Sequence, residues 1–222
     1  MVEEFKKRGY IICGNVFTPN ELDICKNEVN AYFLKNKIKI NKNSNSIPDF
    51  VNKHKMLINT IRLKENATIH NALQNIFGGT NYRFCSHNDI GFNRIVPWHK
   101  DKLNGDVSKY QIHDIWTKIG NEEHEIVKVL IYLEDHSNDN DGLQLVPGSH
   151  LLREINGKGG IHLHPKKGDV IIFDQRITHR GMNKQSKDSR ILVSFGFGKN
   201  NIFTDEFEKG TIIRQNQQNK LY

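Results

Sequence analysis

A mainly β domain with flanking helices is the fold class predicted for this chain of 222 residues, on three observations. From about Tyr82 onward, apolar residues recur with period two in short segments separated by Gly, Pro, Asn or Asp, which is how the strands of a sandwich or barrel read. Upstream of Tyr82, two segments carry apolar residues at helical spacing behind helix-start residues. No apolar run reaches the length needed to span a bilayer. The length fits one domain, 1–222, able to bury roughly 70% of its unfolded surface. It divides into a helical support over about 1–80, a β core over about 81–199 and a tail over 200–222.

Taken in order, Gly9-Tyr10-Ile11-Ile12-Cys13 is β-prone. Thr18-Pro19-Asn20-Glu21 then reads as a helix start, with Thr18 as N-cap, Pro19 at the first helical position and Glu21 closing a capping box. Leu22, Cys25, Val29, Tyr32 and Phe33 follow as an apolar stripe. Residues 35–48, rich in Lys, Asn and Ser and ending at Pro48, read as a mobile surface loop. A second helix is expected from Asn66 to Phe77, with Ile69, Leu73, Ile76 and Phe77 inward and Gly78 just past its end. The expected strands are Tyr82–His87, Gly91–Trp98, Val127–Leu133, Leu143–Val146, Gly160–His164, Val170–Phe173, Thr178–Arg180 and Ile191–Phe197. Leu103–Glu125 interrupts them as a polar insertion with scattered aromatics, too long for a hairpin turn and therefore a lid or binding loop. The tail from Asn200 is polar and carries no assignable pattern.

Composition excludes several functions. The opening Met1-Val2-Glu3-Glu4-Phe5-Lys6-Lys7 has no apolar core of the kind a secretory signal needs. Cys13, Cys25 and Cys85 are odd in number and lack CxxC spacing, so they read as reduced thiols in a cytoplasmic protein. The formal charge of +7 comes from lysines spread along the chain, with no arginine cluster interleaved with aromatics. Nucleic-acid and membrane partners are therefore not expected, whereas a small molecule, an anionic one included, suits the basic balance. The oligomeric state is not readable.

The chemistry-bearing residues lie in the β region. About 0.6 His-x-Asp triplets are expected by chance in a chain with this His and Asp content, so a single triplet means little. Two occur, His87-Asn88-Asp89 and His99-Lys100-Asp101. In the second, strand alternation sets Ile95, Pro97, His99 and Asp101 on one face, at a strand end that leads into a polar loop. The first leads into another strand. His179 follows a turn after the apolar strand at Val170, and a polar segment, 183–188, separates it from Arg190. A hairpin of that length brings Arg190 beside His179 on the neighbouring strand. His150, His162 and His164 are rivals with weaker surroundings. Two imidazole nitrogens and one carboxylate oxygen are the donor set that holds Fe(II) on one face of its octahedron. An arginine is a permanently charged planar fork suited to a dicarboxylate.

The segments GYIICGNVFTPNEL, WHKD, LIYLEDHSNDNDGLQLVPGSH and KKGDVIIFDQRITHRGMNKQSKDSRILVSFGF together resemble the phytanoyl-CoA dioxygenase family of Fe(II)- and 2-oxoglutarate-dependent oxygenases, over about residues 9–34 and 91–197. The resemblance implies a double-stranded β-helix (jelly-roll, cupin-like) core with helices on one sheet. It implies His99, Asp101 and His179 as iron ligands and Arg190 as the group holding the distal carboxylate of 2-oxoglutarate. It further implies O₂ as second co-substrate and a hydroxylation that yields succinate and CO₂. Related halogenases replace the carboxylate ligand by a small residue, so Asp101 favours hydroxylation.

Two positions depart from the family pattern. Gly181 stands where a small hydroxylated residue is common two positions after the distal histidine, and a Trp common in the strand before the acidic loop is replaced around Leu130. Lys128 shares a face with Leu130 and Tyr132 and is expected to be solvated. Lys100, Lys102, Lys109, His113, Trp116 and Arg153 are candidates for recognising the substrate. Two other functions share the ligand set: a nucleic-acid- or protein-modifying oxygenase, and a metal-binding β module without turnover. Arg190→Ala is expected to raise the 2-oxoglutarate requirement strongly while leaving iron binding nearly intact, as separate titrations of metal and co-substrate would show. Unchanged co-substrate affinity would remove Arg190 from the site.

Overall fold

A short helix α1 (Val2–Arg8) opens the chain and ends at Gly9, whose φ of 80° is left-handed. A Cβ at Gly9 would lie 2.4 Å from the His150 imidazole, so both backbone and space call for glycine there. Strand β1 (Tyr10–Cys13) follows, and then helix α2 (Pro19–Lys35) starts behind the expected capping box. The Thr18 backbone N–H donates to Glu21 Oε2 at 2.8 Å, and the Glu21 N–H donates back to Thr18 Oγ1 at 3.3 Å. Its stripe of Leu22, Cys25, Val29, Tyr32 and Phe33 is buried as predicted. Two one-turn helices, α3 (Phe50–Lys53) and α4 (Ile58–Arg62), lead to α5 (Ala67–Phe77). Asn66 Oδ1 caps α5 by accepting from the N–H groups of Thr68 and Ile69, and Gly78 closes it at φ 72°.

Two antiparallel sheets form the core of this computed structural model, which describes residues 1–36, 45–93, 95–136, 141–183 and 190–218. The larger runs β1, β8 (Val170–Asp174), β5 (Ile126–Tyr132), β10 (Ile191–Lys199), β3 (Tyr82–Phe92), β2 (Asn45–Pro48). The smaller runs β4 (Val96–His99), β9 (His179–Asn183), β6 (Asp141–Leu145), β7 (Ile161–His162). The larger sheet is buried on both faces, which is why its central strands read as nearly unbroken apolar runs. Val127, Val129, Ile131, Ile172, Val193 and Phe195 pack on one face against residues of the helical support such as Leu22, Val29, Phe50 and Leu73. The alternate residues Leu130, Tyr132, Ile171 and Phe173 face Leu143 and Leu145 of the smaller sheet. Each fully buried Phe or Leu contributes roughly 2–3 kcal/mol of transfer free energy. This is the expected double-stranded β-helix, mainly β, with helices on one sheet.

The structure corrects three sequence expectations. Tyr82–His87 and Gly91–Trp98 are not two strands. β3 runs unbroken to Phe92, accommodating Ser86 at φ 57°, and the chain turns at Asn93, φ 45°, before β4. Of the expected loop 35–48, residues 37–44 lie outside the described residues, while Asn45–Pro48 pair with β3 as an edge strand. The unassigned tail forms helix α6 (Ile202–Gln218), packed on β3 and on the 3-10 turn Gly105–Tyr110 of the 103–125 insertion. Among the described residues no helix is long and apolar enough to cross a membrane.

The turn into β8 is held by Gly168, whose carbonyl accepts from Val16 N at 2.8 Å and Phe17 N at 3.1 Å. Its φ is 105°, and a Cβ there would lie 2.3 Å from the Phe17 carbonyl oxygen. Gly168→Ala is expected to cost at least ~2 kcal/mol, read as a lower urea midpoint with unchanged slope. A variant as stable as the parent would show that this contact is not constraining.

Candidate metal centre

Strands β4 and β9 pair so that His99 and His179 are direct register partners. Their rings lie 4.1 Å apart between centroids. Each ring is oriented the same way. His99 Nδ1–H donates to the Pro97 carbonyl at 2.9 Å, and His179 Nδ1–H donates to the Ile177 carbonyl at 3.0 Å. A carbonyl only accepts, so the proton of each neutral ring sits on Nδ1 and the lone pair on Nε2. Both Nε2 atoms face Asp101, His99 at 3.5 Å from Oδ1 and His179 at 3.6 Å from Oδ2. The three donor atoms lie within 4.8 Å of one another, the one such group among the described residues. Neighbouring ligands on an octahedral ion with bonds near 2.1 Å stand about 3 Å apart, so a small contraction would seat Fe(II). The donor set and its fixed tautomers fit that ion.

Simple alternation does not produce this arrangement. An irregularity between Val96 and His99 shifts the phase of β4, so that Val96 and His99 share the cavity while Ile95 and Pro97 face solvent. Asp101 lies beyond the strand, where its N–H donates to the Gln175 carbonyl at 3.0 Å. Between the two donors, Lys100 points away and its ammonium donates to the carbonyls of Ser149 and Arg176, both at 2.6 Å. Those bonds pin the segment that presents Asp101.

Lys128 departs most from expectation. It is buried, not solvated, and its Nζ lies 2.9 Å from Asp101 Oδ2. The approach is off the hydrogen-bonding direction, so the pair is held by charge. Strand alternation on β5 aims Lys128 here along with Leu130 and Tyr132. Burial alone would push the Asp101 carboxyl up, but the charges of Lys128 and His179 and the bond to His99 hold it well below the usual carboxylate range. Burial drives His179 down to about 4 against the pull of Asp101. His99 is also depressed by burial, but the hydrogen bond and charge of Asp101 outweigh this and raise it above the ordinary value.

Arg190 is 5% exposed and lines a cavity of about 90 Å³ together with His99, Asp101, His179, Lys128 and Tyr132. Its backbone N–H donates to Asn93 Oδ1 at 2.7 Å, and Nη1 donates to the Gly142 carbonyl at 3.3 Å. Arg190 does not sit on a strand beside His179, because β9 belongs to the smaller sheet while β10 pairs with β3 and β5 in the larger one. The connection changes sheets and Arg190 reaches the same cavity from the opposite wall. Residues 184–189 of the expected hairpin lie outside the described residues.

A second cavity of about 320 Å³ shares Val96, His99, Asp101 and Lys128 with the first and extends to His87, Asp89 and residues of α6. Of the proposed recognition residues only Lys102 lines it. Lys100 is structural, Arg153 pairs with Asp114, and Trp116 packs between Lys100 and Arg153. His113 Nδ1 meets Glu206 at 2.5 Å, tying the insertion to α6, and Lys109 lies over Tyr110. His150 Nε2 meets the Lys6 carbonyl at 3.0 Å, and His162 contacts Gln144. His87 and Asp89, the competing triplet, line the cavity but do not converge on His179.

The fold and this centre have counterparts among known proteins. The family model for phytanoyl-CoA dioxygenase matches residues 5–192. No curated protein sequence matches the chain. HygX from Streptomyces hygroscopicus, solved with nickel and 2-oxoglutarate bound, superposes with a TM-score of 0.68 at 17% identity, covering 90% of this chain and 87% of that one. AviO1 from Streptomyces viridochromogenes Tue57 gives 0.68 at 16% identity, over 90% and 93%. SnoK, a non-heme alpha ketoglutarate dependent carbocyclase from nogalamycin biosynthesis, gives 0.69 at 15% identity, over 89% and 82%. These likenesses carry the fold, and the family match carries the identity: this chain belongs to the phytanoyl-CoA dioxygenase family of 2-oxoglutarate-dependent non-haem iron oxygenases.

Proposed function

We propose that this protein hydroxylates a C–H bond of a small molecule, with His99, Asp101 and His179 as the iron ligands and Arg190 as the anchor of 2-oxoglutarate. The observation that carries the reading is the convergence of two Nε2 lone pairs and one carboxylate across paired strands, each ring locked by a carbonyl two residues back. Bound iron with 2-oxoglutarate and O₂ supplies the oxidising power, with succinate and CO₂ as co-products. The protein's own residues orient and shield. Arg190 offers a bidentate fork to a distal carboxylate from the wall opposite His179. Leu130, Tyr132, Leu143 and Phe173 close that cavity with apolar and aromatic surface, keeping bulk water from the co-substrate. Lys128 keeps Asp101 ionised and stands where the two cavities meet. Hydroxylation is favoured by the presence of a carboxylate at 101.

A small substrate is supported by the modest size of the second cavity, at the low end for ligand sites. The related HygX has been solved with hygromycin B, nickel and 2-oxoglutarate bound. The 1–222 chain would act as one domain, and its three buried free cysteines suit a reducing cytoplasm. A nucleic-acid substrate is disfavoured by β10, which carries no arginine after Arg190 in Ile191–Lys199.

Succinate release that requires both Fe(II) and 2-oxoglutarate tests the reading. Ala at His179 is expected to abolish it and to lower metal affinity at least ~100-fold, by about 3 kcal/mol, in a titration with Mn(II). Retention of tight metal binding would sink the ligand assignment.

Lys128→Met tests the charge pair in metal-free protein. Loss of the ammonium leaves Asp101 buried beside the two histidines alone, at a cost of about 3 kcal/mol at neutral pH. Because the folded-state pKa of Asp101 is depressed, its contribution is full above the ordinary carboxylate range and is lost as pH falls through the depressed value. The variant's carboxyl takes up its proton earlier, so the deficit narrows as pH drops below that range. Denaturation of both proteins across pH would reveal this, and a pH-independent difference would contradict it.

A further inference from the structure

Resting on the oxygenase reading, we propose that the second cavity selects a neutral, polyhydroxylated small molecule, a sugar or cyclic polyol, and that His87 and Arg214 are its specificity-determining hydrogen-bonding groups. The cavity touches the metal centre through His99 and Asp101 but does not include Arg190. On that reading it is the space that would remain beside His99 and Asp101 with 2-oxoglutarate held at Arg190 in the other cavity.

His87 lies on β3, 7% exposed, and neither ring nitrogen has a hydrogen-bond partner. Its Nε2 is 3.6 Å from Asp89 Oδ2, beyond hydrogen-bond reach. The ring stacks on Phe207 of α6 at 5.9 Å and 26°. Burial, with the charge of Lys128, holds it neutral, down to about 3, so the ring offers one donor and one acceptor. Arg214, also on α6, donates through Nη1 to Gln218 Oε1 at 2.9 Å. Its Nη2 is buried without a hydrogen bond, 3.5 Å from Asp89 Oδ2. Buried polar atoms left unsatisfied destabilise the fold, and a ligand that satisfies them relieves that cost on binding.

The charges of the lining decide which ligand. Among the described residues the cavity carries three cations, Lys102, Lys128 and Arg214, and three carboxylates, Asp89, Asp101 and Asp106. The lining is balanced although the chain as a whole is +7. Arg214 already faces Asp89, and Lys128 already pairs with Asp101. An anionic substrate would meet carboxylates, an ammonium would meet the cations, and an acyl chain would leave His87 unsatisfied. A hydroxyl both donates and accepts, so adjacent hydroxyls match His87 and Arg214 without disturbing either ion pair. Phe207, Val107 and Leu103 supply apolar surface for the C–H face of a ring.

The test uses anaerobic wild-type protein loaded with Fe(II) and 2-oxoglutarate, whose visible charge-transfer band reports on the metal's surroundings. The probes are myo-inositol, methyl β-D-glucopyranoside and sucrose, set against glutamate, lysine and decanoate. At least one polyol is expected to perturb the band and, once O₂ is admitted, to stimulate succinate release, while the charged and acyl probes do neither. If the band never forms, the oxygenase reading fails. If it forms and no polyol perturbs it, or if glutamate, lysine or decanoate does so better, the substrate inference alone is overturned. For the responding polyol, His87→Leu is expected to weaken the response at least ~10-fold, the loss of one buried hydrogen bond of about 1.4 kcal/mol. His87→Asn, which keeps a donor and an acceptor, should retain most of it. Equal responses from the Leu and Asn variants would make His87 a packing residue and refute its role.

Discussion

The antiparallel pairing that sets His99 opposite His179 is the constraint on which the remainder of the centre depends. Register in a sheet is quantised, and a slip of one residue would turn either ring to the other face. The same carbonyl geometry, two residues upstream of each histidine, then chooses the tautomer. Two weak local choices thereby present two lone pairs to one point before any ion arrives. Preorganisation of this kind lowers the entropy cost of binding, because little remains to be ordered.

Around that pairing the electrostatics are tightly matched. Asp101 sits among Lys128 and two imidazoles, and Asp101, Lys128, His99 and Val96 line both cavities. A buried ammonium is costly in isolation, and here the Asp101 carboxylate 2.9 Å away compensates it as it compensates the carboxylate. The same cation balances the charges that line the larger cavity. A chain of net charge +7 thus encloses a cavity whose cations and carboxylates, among the described residues, are equal in number.

Helix α6 is the outer wall of the site, and its docking explains the polar tail. Phe203, Phe207, Gly210, Thr211 and Gln215 face inward at helical spacing. Two of them meet polar or crowded surroundings. Gln215 donates to the carbonyls of Ser86 and Asn88, and a Cβ at Gly210 would run into Leu103. Arg83 holds Asp205 and Glu208 from the neighbouring strand. A helix seated on a strand edge and a loop needs small and hydrogen-bonding residues where one seated on a core needs leucines. Apolar periodicity does not see such a helix.

Local chemistry determined much of this protein from sequence alone. The capping box at Thr18, the Gly78 stop, the short apolar strands and the donor types of His99, Asp101 and His179 are all written in short segments, because capping, alternation and donor type act over a few residues. Tertiary structure decided what depends on partners far along the chain. The phase shift in β4 that swaps Pro97 for Val96, the change of sheet that brings Arg190 in from the opposite wall, the burial of Lys128 against Asp101 and the docking of α6 over His87 each follow from contacts between distant segments. Those contacts are set by how the two sheets and the last helix pack, and no periodicity within a strand encodes them.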